Sequence, residues 1–156
     1  MAFVLESDPM TTTIFRTSPI LAISPGAIAI LKAQALADPK GRTRICLHAD
    51  HAAPVQEMVI ALTAGQTVTA HRQPAIDRKT YCMIDGVLDF VFFDDDGVIQ
   101  ERFRLAASGE HARVITFPAG RWHGCAAVSD VAIYLETIAG PYQPGGTEWR
   151  EWKPTP

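Results

Sequence analysis

The sequence has little that would tie it to a large charged partner, a membrane or a metal cluster. No run of cations exceeds the pair Arg78-Lys79, and the net charge is -3. Phosphate binding needs clustered Lys and Arg, so a nucleic-acid partner is not expected. The acidic excess is too small to imply a cationic one. The three cysteines, Cys46, Cys82 and Cys125, are widely spaced and form no CxxC pair. That argues against a structural zinc site and against a disulfide framework. Reduced thiols in a cytoplasmic protein are the expectation. The most apolar stretch, Gly26 to Ala37, is broken by Lys32 and Gln34 and is too short to span a bilayer. The N-terminal MAFVLESDPM lacks a basic region followed by an apolar run, so no signal peptide is read. Internal repeats and low-complexity segments are missing too.

What is present reads as one folded unit. The 156 residues are 47% apolar and 20% charged, enough for a single domain with a sizeable core. Residues 1–18 show no period and are expected to be a loose arm, with one domain over 19–156. Ser24-Pro25 is a helix start, Ser as N-cap and Pro at the first helical position. Ala27, Ile28, Ile30, Leu31 and Leu36 carry that helix to about Ala37, and Asp38-Pro39-Lys40-Gly41 ends it.

After Gly41 the period shortens. Strands are expected at Arg44 to His48, Val55 to Leu62, Thr67 to His71 and Thr80 to Ile84. Val87 to Phe93 and Val98 to Leu105 flank Asp94-Asp95-Asp96-Gly97, a hairpin signal. Ala112 to Phe117, Trp122 to Val128 and Val131 to Thr137 complete the series. Many short strands with regular turns mean a β-sandwich or small barrel behind one helix. The tail from Gly140 is rich in Pro and Gly but carries Tyr142, Trp149 and Trp152, and is expected to dock on the body.

His71 and His123 lead the candidates for chemistry. Each lies near the edge of an expected strand beside Gly or Pro turns. Strand positions in a closed barrel can point inward, where two imidazoles could share one metal. On the residues alone, two hydrogen-bonded interior or rim histidines are the better reading, because His residues this far apart follow no ligand spacing rule. His48, Asp50 and His51 form a second cluster, read as an exposed loop. Asp94 to Asp96 are read as a solvated hairpin tip, without the ligand spacing of a calcium loop. Arg121 and Trp122 are placed at a pocket mouth or barrel end. Cys125 shares the parity of His123 and is read as a buried, inert thiol.

The spacing Gly65, His71, Gln73, Lys79, Gly86 resembles the first cupin motif, and Pro118-Ala119-Gly120-Arg121-Trp122-His123 resembles the second, PxGxxH. The longer run HRQP, IDGVLDFVFFDDDG, PAGRWHG and YLETIAGPY is similar to the WbuC family of cupin-fold proteins, from about Arg42 into the tail. The resemblance implies an all-β cupin fold, a double-stranded jelly-roll barrel with a short N-terminal helix. It also implies a homodimer and a bacterial setting linked to surface-polysaccharide synthesis. By the same resemblance, His71 and His123 would be metal ligands, with Zn, Fe, Mn or Ni as the possible divalent cofactor. The motif is degenerate. Gln73 stands where the family has a second His, Lys79 where it has Glu, and Ala127 where the second motif often has Asn. Gln is a weak ligand, and an ammonium repels a dication.

Three readings follow. In the first, His71, Gln73, Lys79 and His123 bind a small polar ligand, sugar-like or carboxylate-bearing, and an inward Lys79 substitutes for the metal's charge. In the second, the protein is a metal-dependent cupin enzyme using His71 and His123. In the third, it is a metal-free sugar-nucleotide epimerase or isomerase, with a His base and Tyr81 or Tyr134 as acid. Tyr81 shares the parity of Lys79, and Tyr134 and Glu136 lie on the final strand and are candidates to line the lumen. For either Tyr, core packing is the simpler role.

Overall fold

The computed structural model describes residues 19–154, together with the backbone of two short N-terminal strands. These are β1 (Glu6–Ser7) and β2 (Thr13–Phe15). β1 pairs with β2, and β2 lies parallel to β3 (Arg42–Cys46). Those pairings belong to the segment expected as a loose arm; the rest of 1–18 lies outside the described residues.

The helix α1 spans Pro25–Ala37. The Ser24 hydroxyl accepts the Ala27 N–H at 3.2 Å, and the Asp38 N–H closes the last turn on the Gln34 carbonyl. Leu31 and Ala35 are fully buried, packed with Ile45, Val59, Ala61 and Ile133. The helix therefore covers the outer face of one sheet, and Lys32 on it pairs with Asp85.

Two sheets then follow. The strands are β4 (Val55–Thr63), β5 (Thr67–Arg72), β6 (Arg78–Asp85), β7 (Val87–Phe93) and β8 (Ile99–Ala106). After these come β9 (Val114–Pro118), β10 (Trp122–Ala127), β11 (Val131–Ala139) and β12 (Glu148–Trp149). One sheet runs β1-β2-β3-β4-β11-β6-β9 and the other β12-β5-β10-β7-β8. From β4 onward successive strands alternate between the sheets in the jelly-roll manner, except that β7 and β8 form a hairpin within one sheet; β5, β7, β8 and β10 face β4, β6, β9 and β11. All these pairings are antiparallel except β2 with β3.

Alternation decides what fills the barrel. On β6, Lys79, Tyr81 and Met83 are buried while Arg78 and Ile84 are exposed. Tyr81, Phe90, Phe92, Phe117 and Tyr134 meet in the lumen, with Tyr81 and Phe90 ring centroids 5.0 Å apart and Phe92 and Phe117 5.0 Å apart. This aromatic core packs the middle of the barrel with side chains, as small barrels require.

The tail lies against the second sheet. β12 pairs with β5, and further on the Ala70 N–H donates to the Trp152 carbonyl while the Arg150 N–H donates to the Ala70 carbonyl. Trp152 packs against Phe93 and Trp122 on the outer face of the second sheet. Trp122 therefore closes no barrel end; it has the opposite parity to His123 and lies under the tail. Asp95 is likewise more than a solvated tip, because it accepts the Trp122 indole N–H at 3.0 Å.

Gly97 ends the hairpin with φ +86°, and a Cβ there would stand 2.6 Å from the Trp152 ring. Gly97→Ala is expected to lower stability by about 1–2 kcal/mol through backbone strain and the displaced indole. Urea unfolding and tryptophan emission check this. An unchanged midpoint with unchanged emission would mean that Trp152 does not sit on the hairpin.

Candidate functional site

His71 and His123 are direct partners across the β5–β10 pair, so their side chains leave the sheet on the same face. Their ring centroids are 4.2 Å apart. The Nδ1 of His71 lies 3.1 Å from the Thr69 carbonyl oxygen, and that of His123 lies 2.7 Å from the Arg121 carbonyl oxygen. A carbonyl only accepts, so both Nδ1 atoms carry the proton and both Nε2 lone pairs face inward.

The opposite sheet supplies what they face. Lys79 on β6 is 1% exposed. Its Nζ lies 3.3 Å from His71 Nε2, 3.4 Å from His123 Nε2 and 3.0 Å from Glu136 Oε1. Glu136 comes from β11, where Tyr81 is its direct cross-strand partner and Lys79 its diagonal one. An ammonium has three N–H donors, and here it meets three acceptors. The Tyr81 ring lies beside the cation, 5.5 Å from Nζ to the centroid.

Electrostatics follow from burial and this one cation. Burial, then the neighbouring Lys79 charge, pushes the His71 imidazole down to about 4. His123 is held well below the ordinary imidazole range by burial, His71 and Lys79. Burial raises the Glu136 carboxyl, but the Lys79 charge and hydrogen bond outweigh it, leaving the group below its ordinary value. Near neutral pH the cluster is therefore two neutral imidazoles around a Lys–Glu ion pair.

The other candidates are placed as follows. Gln73 is half-buried at the end of β5, where its Nε2 donates to Thr147 Oγ1 at 3.2 Å and its buried Oε1 has no partner. Tyr81 is buried against Glu136, and Tyr134 against Cys125; burial raises both phenols well above the ordinary range. Burial also pushes the Cys125 thiol up to about 12, in keeping with an inert group. His48 is not in an exposed loop: it is 6% exposed, and its Nδ1 accepts the Glu57 N–H at 3.0 Å. His51 lies against Tyr142, 4.9 Å between centroids with the rings tilted by 39°, away from the barrel cluster. Arg121 lies over Phe92 and pairs with Glu101.

Two contributors escaped the sequence reading. Trp149 stacks on His71 at 4.8 Å, and Thr147 holds Gln73; both come from the tail. Their only sequence signal is an aromatic in a Pro- and Gly-rich segment. Glu136 was visible by strand parity as a lumen residue, but nothing in the sequence paired it with Lys79.

The metal of the resemblance can be tested against this geometry. Divalent Zn bonds to His and carboxylate run at roughly 2.0–2.2 Å. The two Nε2 atoms and Glu136 Oε1 instead surround an ammonium at hydrogen-bond distance. A dication at that centre would coincide with a like charge. The residues present do not fit a metal, and among the described residues no three His, Cys, Asp or Glu side chains are arranged to hold one. Nor is any helix among them long and apolar enough to cross a membrane.

Known proteins were compared with this chain and fold. KdgF from a Halomonas species superposes with a TM-score of 0.52 at 14% identity, covering 68% of this chain and 84% of that one. A conserved protein of unknown function from Streptococcus pyogenes gives 0.51 at 20% identity, covering 68% and 80%. A cupin superfamily protein from Desulfitobacterium hafniense gives 0.49 at 16%, covering 63% and 76%. At such identities the likeness concerns the fold alone. With the strand order above, the fold is the cupin jelly-roll barrel. No curated protein matches the sequence. Residues 23–105 match a family described as a domain of unknown function, DUF6016.

Proposed function

The chain belongs to the family described as a domain of unknown function, DUF6016, and from that membership and its cupin barrel we propose that it binds a small polar ligand without a metal. The observation that carries this reading is Lys79, whose ammonium is held by His71, His123 and Glu136 at the barrel's polar centre. The ligand lies at the rim of that cluster, beside His71 and Trp149. Trp149 is 52% exposed and stacked on His71, which suits a ring-shaped hydroxylated molecule. Gln73 Oε1 is a buried acceptor without a donor, and a ligand hydroxyl would supply one. Lys79 and His123 stand behind it, the ammonium held between the two imidazoles and Glu136.

The resemblance to the WbuC family adds a finer proposal, that the ligand is sugar-like and belongs to bacterial surface-polysaccharide chemistry. A homodimer in the cytoplasm, with residues 19–156 as one domain, belongs to the same proposal. The enzyme readings draw less support. Tyr81 and Tyr134 are spent on Glu136 and Cys125 inside the aromatic core, and the metal reading meets the Lys79 charge.

The test is calorimetric titration with neutral sugars and sugar acids, with and without chelator. A binder is expected whose affinity survives chelation. Gln73→Ala should weaken it roughly tenfold, the scale of one lost hydrogen bond in a buried site. Binding that disappears with chelator, or an indifferent Gln73→Ala, would overturn the reading.

A further inference from the structure

We propose that the solvent face of α1 is the interface for a second copy of this chain, the two helices packing antiparallel about a two-fold axis at Ala33. The inference gives a surface to the homodimer of the preceding reading, and it rests on the helix rather than on the barrel cluster or any ligand.

The helix PGAIAILKAQALA is apolar on both sides. Leu31 and Ala35 are spent on the sheet, with Ile28 packed beside them. A surface helix ordinarily turns a charged or polar face to water, whereas one apolar all round is a buried helix. Here the opposite face carries Ala29, Ile30, Ala33, Leu36 and Ala37, all exposed, Ile30 by 58% and Leu36 by 65%. The polar side chains, Lys32 and Gln34, stand at the two flanks, and Lys32 is held there by Asp85.

The order of residues says what covers that face. Read outward from Ala33, the helix repeats by size in both directions: Ile30 and Leu36 lie three residues away, Ala29 and Ala37 four. At about 100° per residue these five fall within an arc of about 120°, the alanines in the middle and the large side chains at opposite margins. A two-fold interface must be self-complementary, because each patch meets itself in reverse. An antiparallel copy meets that demand. Ala33 lies against the partner's Ala33, and Ala29 against the partner's Ala37. Ile30 then covers the partner's Ala37 from one margin, and Leu36 covers the partner's Ala29 from the other. Small residues along the seam let the backbones come close while the large ones fill the flanks. The same arrangement sets the positive N-terminus of each helix beside the negative C-terminus of the other. A helix of 13 residues is about 20 Å long and about 10 Å across. Such a pair covers less than the roughly 800 Å² per partner of a standard interface, so association is expected in the micromolar range.

Sedimentation velocity of the native chain across the micromolar range, without any sugar, should show monomer passing to dimer. Ala33→Glu sets two carboxylates against each other on the axis and should weaken the dimer at least roughly 100-fold. Ala33 is exposed, so the circular dichroism of this variant should match that of the native chain. Cross-linking with an added oxidant reads the register and does not depend on that variant. Ala33→Cys should form a disulfide-linked dimer beyond the level reached by the native cysteines. A mixture of Ala29→Cys and Ala37→Cys should give the mixed dimer in preference to either homodimer. A chain that stays monomeric throughout overturns the proposal, as does a dimer indifferent to Ala33→Glu or one in which Ala29→Cys links to itself. So does a monomer that sediments with vesicles of phosphatidylcholine and phosphatidylglycerol, which would give the face to lipid. None of these results bears on the calorimetric titration, so the ligand reading and the interface stand or fall separately.

Discussion

Lys79→Met is expected to lower the unfolding free energy by roughly 3–5 kcal/mol, the usual loss when one partner of a buried ion pair is removed. Methionine matches the length and apolar stem of lysine, so packing changes little. What changes is that Glu136, 12% exposed, keeps a carboxylate with no cation beside it. The two imidazoles also lose the donor their Nε2 atoms face. Adding Glu136→Gln should recover most of the loss, because removing both charges leaves no buried ion to solvate. The Gln amide can still accept from Tyr81 and can donate to an imidazole. Urea unfolding of the native protein, both single variants and the double variant gives the coupling directly. Single variants within about 0.5 kcal/mol of native would show that the pair is solvated. A double variant as unstable as the sum of the singles would show that the two residues do not act together.

Acidification should destabilise the protein well before its surface carboxylates titrate. In the unfolded chain His71 takes up a proton near pH 6.5, whereas in the folded barrel it resists until about 4. Between those values the unfolded state binds more protons, so stability rises with pH across the window and falls as pH drops through it. A separation of that size is worth roughly 3 kcal/mol at about 1.4 kcal/mol per pH unit. His123 is shifted in the same direction and adds to the slope. Glu136, lowered below 4.5, contributes stability that is present above that value and lost as pH falls through its folded one. Native domains hold only about 5–15 kcal/mol in reserve, so the acid transition should begin near pH 5. Denaturant midpoints measured from pH 7.5 to 4.5 test this. His71→Gln, which keeps an acceptor for Lys79 but cannot titrate, should flatten the profile. A midpoint that is level from pH 7 to 5, or that rises on acidification, would contradict the buried neutral histidines.

Much of the architecture was legible because it is local. Ser24 and Pro25 cap a helix by chemistry within one turn, and the helix runs Pro25–Ala37 as read. Alternation and glycine turns placed the strands, β7 to the residue and most others within two. The register of β5 against β10 was not legible, because a pair separated by fifty residues leaves no periodic mark. That register is what sets His71 opposite His123. Cluster members from both sheets, and Thr147 and Trp149 from the tail, meet only through that closure. His48 was misread for a related reason: a loop-like sequence was buried by the N–H of Glu57 on the adjoining strand.

By itself, then, the sequence determined a β-sandwich or small barrel behind one helix and an inward parity shared by Lys79 and Tyr81. Those follow from spacing and from the two-residue period of a strand; the cupin fold, and a lysine where that motif usually has a carboxylate, are what the family resemblance implied. Only the tertiary structure decided where the lysine's charge goes. Its ammonium stands among two imidazoles and a carboxylate from three other strands, and that meeting depends on how two sheets face one another. A strand's own residues can say which side of the sheet Lys79 is on. They cannot say that three acceptors wait there for its three donors.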